Sequence, residues 1–597
     1  MPVMARDEAS LPVPRAAEAK VRIDQPLRRA ARAVWDNRSE PSFTADVLRH
    51  GGCADCSLGS DGLYDRAQDG VHLCGLRLSG LRRWTRAGLD PSGLPDRKRL
   101  ERMGRRDLER LGRLTVPLLY RRGVEQSEVL GWSDALKLAI NRLEGAAGSW
   151  SLLCDDHSSS NETLFALSRL ARGGGAHAIG FHGSDRAGVA LDVLEESLGH
   201  SASTTSLSAL QEADLVVLWG SVLDRHPVLG KLLVTARSRG TRVVAVHPDG
   251  RGAAETMLLP SRLVVGTRAS RAVDRTYTLL PGESEQSYAS RLLAGVLHEG
   301  ATDLDYLTSR TAVLLDSGVP SLARLGVGPS GDRPAMAPVA RDLVEELCNA
   351  NRAVLVLGEG ESCTAEQHRS LMRALTTLWL VRGWLGRPGA GILVAGAGAA
   401  SQGARDLGLV DITEGSRASV RELEEAKLVY CDGDGLSNER HKGYESISGF
   451  LGVETQVHQA CYLDPSMFAG EAKEVLVLPV QSRFEQTGGS TSTSLDRWVR
   501  FSPEIQGHPV GDVPAAWQLP LQLLSGLSGG APAQLQDVVE LREAMMVAQP
   551  LYGPLCDLGC PGDGFQWGGE TLYGTRFATE DGRARLPWLE PPGFAVD

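Results

Sequence analysis

No stretch of about 20 uncharged apolar residues occurs in the chain, so the sequence offers no membrane-spanning helix. Basic charge is not in excess: 63 Lys and Arg stand against 74 Asp and Glu, a formal net charge of -11. Without a concentrated basic face, neither a nucleic-acid backbone nor an anionic membrane surface is expected as the main partner. Cysteine is sparse, with 10 residues in 597 and a single group at ligand-like spacing, which suits a reducing compartment better than a disulfide framework. Arg28, Arg29 and Arg32 are not followed by the apolar stretch of a secretory or twin-arginine signal, so the chain is expected to be cytoplasmic. Aromatic residues are few, 5%, yet 42% hydrophobic and 23% charged residues make an ordinary globular composition. The length calls for several cores.

Residues 1–44 are polar, without sustained periodicity, and read as an extended tail. Residues 45–149 hold a Gly/Asp-rich loop with three Cys, an Arg-rich helical stretch from Lys98 to Arg113, and a helix from Ser133 to Leu143. From Trp150 the pattern alternates short apolar runs with amphipathic segments: Ser151 to Cys154, Asn161 to Arg172, Leu215 to Trp219, Val228 to Arg239 and Arg242 to Val246. This predicts a Rossmann-like parallel-sheet unit over 150–335 and a second over 336–460, starting at Ala353 and continuing through Ala365 to Leu380 and Lys427 to Cys431. Residues 461–597 form a return segment. In it the apolar run from Glu474 leads into a Gly/Ser/Thr-rich loop from Gly488 to Ser494. The fold class is α/β and multi-lobed. Paired carboxylates such as Glu195-Glu196 and Glu424-Glu425 read as solvated helix faces.

Two groups of residues carry chemistry. Cys53-Ala-Asp-Cys56 is a C-x2-C pair, followed later by Cys74; paired thiolates on a loop suit an iron–sulfur cluster, suit zinc less well, and are equally read as a loop that binds nothing. A fourth ligand would come from Ser60, Asp61 or His72. The second group lies at strand ends: Gly220-Ser221, His247 with Asp249, Gly358-Glu359 and Gly433-Asp434. Ligands of open α/β sheets collect at the carboxyl ends of strands, where Gly lets a backbone approach closely and amides meet phosphates. Each such loop taken singly is more often only a turn.

Ala213 to Pro227, with Gly220-Ser221 and a following His226-Pro227, resembles the segment of molybdopterin oxidoreductases in which a Gly-Ser-Asn-Pro loop touches a guanine-dinucleotide cofactor. Val222 and Leu223 replace its Asn-Pro. Leu280-Pro281-Gly282-Glu283 resembles a further cofactor loop of that family. Thr377 to Gly391, with Gly386-Arg387-Pro-Gly-Ala-Gly, and Ser401 to Gly408, with Gln402, Gly403 and Asp406, match two more of its segments. Arg483 to Ile505, Gln566 to Gly569 and Phe577 to Ala584 are similar to formate-dehydrogenase-like alpha subunits.

The resemblance implies two Rossmann-like parallel-sheet domains beside a small Cys-containing domain. It implies a molybdenum or tungsten bis-molybdopterin guanine dinucleotide and an iron–sulfur cluster, of the 4Fe-4S type, on Cys53, Cys56 and Cys74. It also implies a small substrate such as formate and an electron-transfer protein or subunit as partner. In that family a metal-ligating cysteine or selenocysteine precedes a His-Gly; here His182-Gly183 is preceded by Phe181, which cannot coordinate. His182 and Arg186 are the candidate catalytic pair, and His182 is equally read as a capping or core imidazole. The family's closing barrel domain has no counterpart before Asp597, so either a separate chain supplies it or the two pterins are bound incompletely or not at all.

Overall fold

The computed structural model describes residues 26–587, apart from 54, 65, 68–73, 156, 158, 183–184, 224–225, 249–255, 258–269, 281, 313–337, 359–363, 396–397, 411–425, 434–452, 469, 471, 507–509 and 530–536. In chain order the strands are β1 (Leu118–Arg121), β2 (Glu128–Val129), β3 (Trp150–Asp155), β4 (Ala178–His182), β5 (Leu215–Trp219) and β6 (Arg242–His247). There follow β7 (Thr256–Met257), β8 (Ser270–Arg271), β9 (Arg275–Thr278), β10 (Ala353–Leu357), β11 (Gly391–Val394) and β12 (Leu428–Asp432). The last are β13 (Thr455–Ala460), β14 (Glu474–Pro479), β15 (Ser490–Thr493), β16 (Trp498–Ser502) and β17 (Gly564–Gln566).

The two large sheets follow from burial. Every residue of β5 and β10 is buried, as expected for parallel strands covered by helices on both faces. One sheet has the order β11-β10-β5-β6-β9 and is parallel throughout. The other has the order β2-β1-β14-β13-β12-β3-β4; its five strands from β14 to β4 are parallel and β1 joins β14 antiparallel. Crossover helices start on side-chain caps. Ser160 accepts from the Thr163 amide ahead of Asn161–Gly173, and Thr364 with Gln367 forms a reciprocal capping box ahead of Ala365–Val381. Trp150, Trp219, Trp379 and Trp384 lie in the largest core.

Several features differ from the linear reading. The two sheets are interleaved along the chain: β12 pairs with β3, and β10 pairs with β5, so a boundary near residue 335 separates neither sheet. Apolar periodicity reveals a strand but not its partner, which the crossovers decide. Residues read as tail form helices Pro26–Asp36 and Pro41–His50, because Ala33, Phe43 and Val47 complete a small core with Leu78, Leu81, Phe484 and Ile505. The Arg-rich stretch is two short helices, Arg97–Leu100 and Arg105–Leu111. The Ser/Thr run expected as a loop is β15, paired with β16. Its hydroxyls are buried against Asn161 and Glu162, so polar side chains serve as core. Among the described residues no helix is long and apolar enough to cross a membrane.

Candidate functional site

Four of the residues singled out at strand ends come together. The Gly220 amide donates to Val246 O at 2.9 Å and the Gly358 amide to Trp219 O at 2.8 Å, which extends the β5–β6 and β10–β5 pairings past the strands. Ser221 Oγ lies 3.2 Å from His247 Nε2. A side chain at Gly358 would place Cβ 2.6 Å from Val222 Cγ2 and 2.8 Å from Ser221 O, so this crossing of two loops admits only glycine. Gly282, in a left-handed conformation with open space around it, follows β9 at the outer edge of the same sheet. Asp249, Pro281 and Glu359 lie outside the described residues.

In the other sheet Gly433 follows β12 and donates to Gln459 O at 3.0 Å. Asp432 beside it is buried and accepts from Ser159 Oγ and from Gln459 Nε2. Asp434 lies outside the described residues. The two sheets meet at these ends. Gly403, on the chain leaving β11, packs so closely on Asn161, at the helix start after β3, that an added Cβ would lie 2.3 Å from Asn161 Oδ1. Gln402 donates to Asp406 Oδ1 at 2.8 Å, and Tyr552 OH and Trp567 Nε1 each donate to Asp406 Oδ2 at 2.9 Å. Burial pushes this carboxyl up to about 6 despite those donors. Asp406 thus ties the return segment to the strand-end layer.

Gly386 and Arg387 lie elsewhere, ahead of the start of β11. An added Cβ at Gly386 would lie 2.4 Å from Tyr573 O, and Arg387 donates to Asp303 Oδ2 at 2.7 Å. They line a recess of about 480 Å³ with Asp303, Tyr306 and Arg310, at the opposite end of the parallel strands from Gly220 and Gly358.

The three cysteines are buried and form no disulfide. Two arginines clamp their loop: Arg77 donates to the Val47, Leu48 and Gly51 carbonyls, and Arg500 donates to Leu58 O at 3.0 Å and pairs with Asp61 at 3.3 Å. Desolvation raises the Cys53 thiol well above its ordinary value, with Asp55, Cys56 and Cys74 adding in the same direction. Cys56 is pushed up to about 12 by burial and then by Cys74. The three sulfurs therefore sense one another, and a bound cation would be needed to hold them as thiolates.

Among the described residues no group of three or more His, Cys, Asp or Glu is placed to hold a metal ion. Ser60 and Asp61 are engaged by Arg77 and Arg500, and His72 lies outside the described residues.

The Cys loop docks on the loop that follows Gly220-Ser221. Cys56, Leu58 and Cys74 share a core with Val222 and Leu223, and Ser57 Oγ lies 2.9 Å from His226 Nε2. His226 was visible in the sequence only as the His-Pro after the strand end. A cavity of about 1320 Å³ runs from Cys53 and Asp55 to Asp155 and His157 at the end of β3, with Arg483 in its wall. Arg483 gave no signal as an isolated arginine in a turn.

The side chains of His182 and Arg186 lie outside the described residues. Phe181, paired with Cys154 across β4 and β3, packs on the largest core. Glu196 is exposed and bonded to Arg369. Glu195 is not a solvated group: burial pushes it up to about 7, opposed by Arg405 and aided by Asp192. Glu424 and Glu425 lie outside the described residues.

A sequence model of the molybdopterin oxidoreductase family matches residues 113–262, the stretch holding Gly220, Ser221 and His247. The chain is 23% identical over 493 residues to the F420-dependent formate dehydrogenase 2 subunit alpha of Methanococcus maripaludis, covering 76% of this chain and 68% of that one. It is 22% identical over 318 residues to formate dehydrogenase H of Escherichia coli, covering 50% of this chain and only 41% of that protein. Among solved structures it is similar in fold to acetylene hydratase from Pelobacter acetylenicus, with a TM-score of 0.55 and 14% identity over 79% of this chain and 69% of that one. Over residues 113–262 the chain is similar to the molybdopterin oxidoreductase family, and its relatives at low identity include a formate dehydrogenase and a formate dehydrogenase subunit.

Proposed function

We infer that this chain is the pterin-binding subunit of a redox enzyme that takes two electrons from a small substrate, formate being the first to test, and passes them through an iron–sulfur cluster to a partner. One observation carries the reading: the buried loop of Cys53, Cys56 and Cys74 packs directly on the loop that follows Gly220-Ser221. Candidate cluster ligands and candidate dinucleotide contacts are thereby neighbours, and electrons moving between their cofactors have a short path. The bound pterin and its molybdenum or tungsten would supply the redox chemistry. The protein would hold the dinucleotide arms at Gly220, Ser221, His247 and Gly358 on one sheet and at Gly433 on the other. His182 and Arg186 would orient a small anion and handle its proton. A redox subunit is the partner class.

Phe181 favours one alternative, a subunit that keeps the fold for assembly, since this side chain supplies no ligand. Elemental and pterin analysis of protein made in a host with pterin-maturation machinery separates the two. Iron together with molybdenum or tungsten and pterin is the expected result. Preparations that repeatedly lack all of them would remove the enzymatic reading.

A further inference from the structure

Arg483 is 3% exposed, and none of its three guanidinium nitrogens has a hydrogen-bond partner among the described residues. Its backbone is not free to relieve this. Ser482 and Glu485 close the turn, Arg113 grips Glu485, and the neighbouring Phe484 is wedged against Trp84 and under Gly51. A desolvated charge without a counter-ion is costly, and natural folds keep one only where something compensates it.

The anion-forming groups near it are few. Arg483 lines the same cavity as Cys53 and Asp55; Cys53 acts on it most, then Glu162, with Arg500 adding a positive charge and Asp55 a negative one, and burial lowers Arg483 to about 10. Glu162 is already committed: it accepts from the Thr491 amide and hydroxyl and from Arg542 Nε. Asp55 is directed to the Cys53 thiol at 3.4 Å. The remaining source of negative charge is the thiol group itself, once its protons are replaced by metal.

We propose that Arg483 is the buried counter-cation of the Cys53–Cys56–Cys74 site and raises the reduction potential of the iron–sulfur cluster held there. The inference rests on the cluster reading given above. Arg483 contributes charge rather than a ligand. A fixed cation stabilises the more negative, reduced cluster, so net charge and burial around the sulfurs set the potential. It is a positioning and tuning residue, not a catalytic one.

The test is an EPR-monitored redox titration, with iron and sulfide analysis, of the full chain as wild type, Arg483→Met and Arg483→Lys. The expected result is equal iron content and a midpoint at least tenfold less favourable to reduction in Arg483→Met, about 59 mV for a one-electron couple. Arg483→Lys should recover most of that shift. Iron lost from Arg483→Met but kept by Arg483→Lys would also support the role, since charge alone would then hold the thiolates. An unmoved midpoint in Arg483→Met, or equal iron loss from both variants, would overturn it while leaving the cluster reading intact. A wild type that binds no iron would overturn the cluster reading and this inference with it.

Discussion

Replacing Asp406 by Ala removes the acceptor shared by Gln402, Tyr552 and Trp567. Two of these donors keep an alternative: Gln402 also reaches Ser201 O, and Tyr552 OH lies 2.6 Å from Thr493 Oγ1. Trp567 Nε1 keeps none in the described structure. At about 1–3 kcal/mol for each buried donor left unmade, the loss should be about 2–4 kcal/mol when the carboxyl is protonated.

The pH dependence follows from burial. The folded carboxyl is pushed from 3.8 up to about 6, which at about 1.36 kcal/mol per tenfold makes the ionised form about 3 kcal/mol costlier in the fold. Partial exposure of this residue makes that an upper value. With the folded pKa above the unfolded one, the folded state holds more protons between the two values, so wild-type stability is greatest below about pH 4, falls between about pH 4 and 6 and levels off above that. The substitution should therefore destabilise most near pH 4 and only weakly near pH 8, read as urea midpoints at the two pH values with the slope held constant. An equal loss at both, or a larger loss at pH 8, would refute the reasoning.

Three further predictions follow from single contacts. Glu195→Gln should flatten the stability decline that the wild type shows between about pH 5 and 7, because the buried carboxyl pushed up to about 7 no longer has to ionise; thermal melts across that range check it. Arg113→Ala strands Glu485, whose carboxylate it holds through two hydrogen bonds in the interior, and should cost about 3–5 kcal/mol by urea denaturation. Gly358→Ala forces Cβ against Val222 and the Ser221 carbonyl; it should lower bound pterin more than it lowers the helical circular dichroism signal, and unchanged pterin content would show that this loop crossing does not hold the cofactor.

The extent to which the fold was legible depended on how local each signal was. The run Leu215 to Trp219 announced β5 to the residue, since a strand covered on both faces must be apolar throughout. The helix after Thr364 was equally visible from its periodicity. The pairing of β12 with β3 was not, because those strands lie far apart in the chain and nothing local distinguishes β3 from β5 as a partner. The N-terminal helices were missed because Ala33, Phe43 and Val47 are too few to mark a period and owe their burial to Phe484 and Ile505.

Among the candidate site residues, the strand-end glycines Gly220 and Gly358 are ones that the structure brings together. Strand-end reasoning could not tell that Gly386 and Arg387 turn at the opposite end of the strands, against Tyr573 and Asp303. A motif records residue types, whereas its location depends on which end of the strand it adjoins. The partners of Asp406 and the isolation of Arg483 are properties of three-dimensional packing and leave no trace in spacing.

The most direct test of the account is iron and sulfide content with the visible absorption spectrum of anaerobically purified protein, wild type beside Cys53→Ser and Cys56→Ser. The account predicts a broad cluster absorption with several irons per wild-type chain, reduced or lost in both variants, together with molybdenum or tungsten and pterin. A colourless wild type with no iron, metal or pterin, indistinguishable from the two variants, would contradict it.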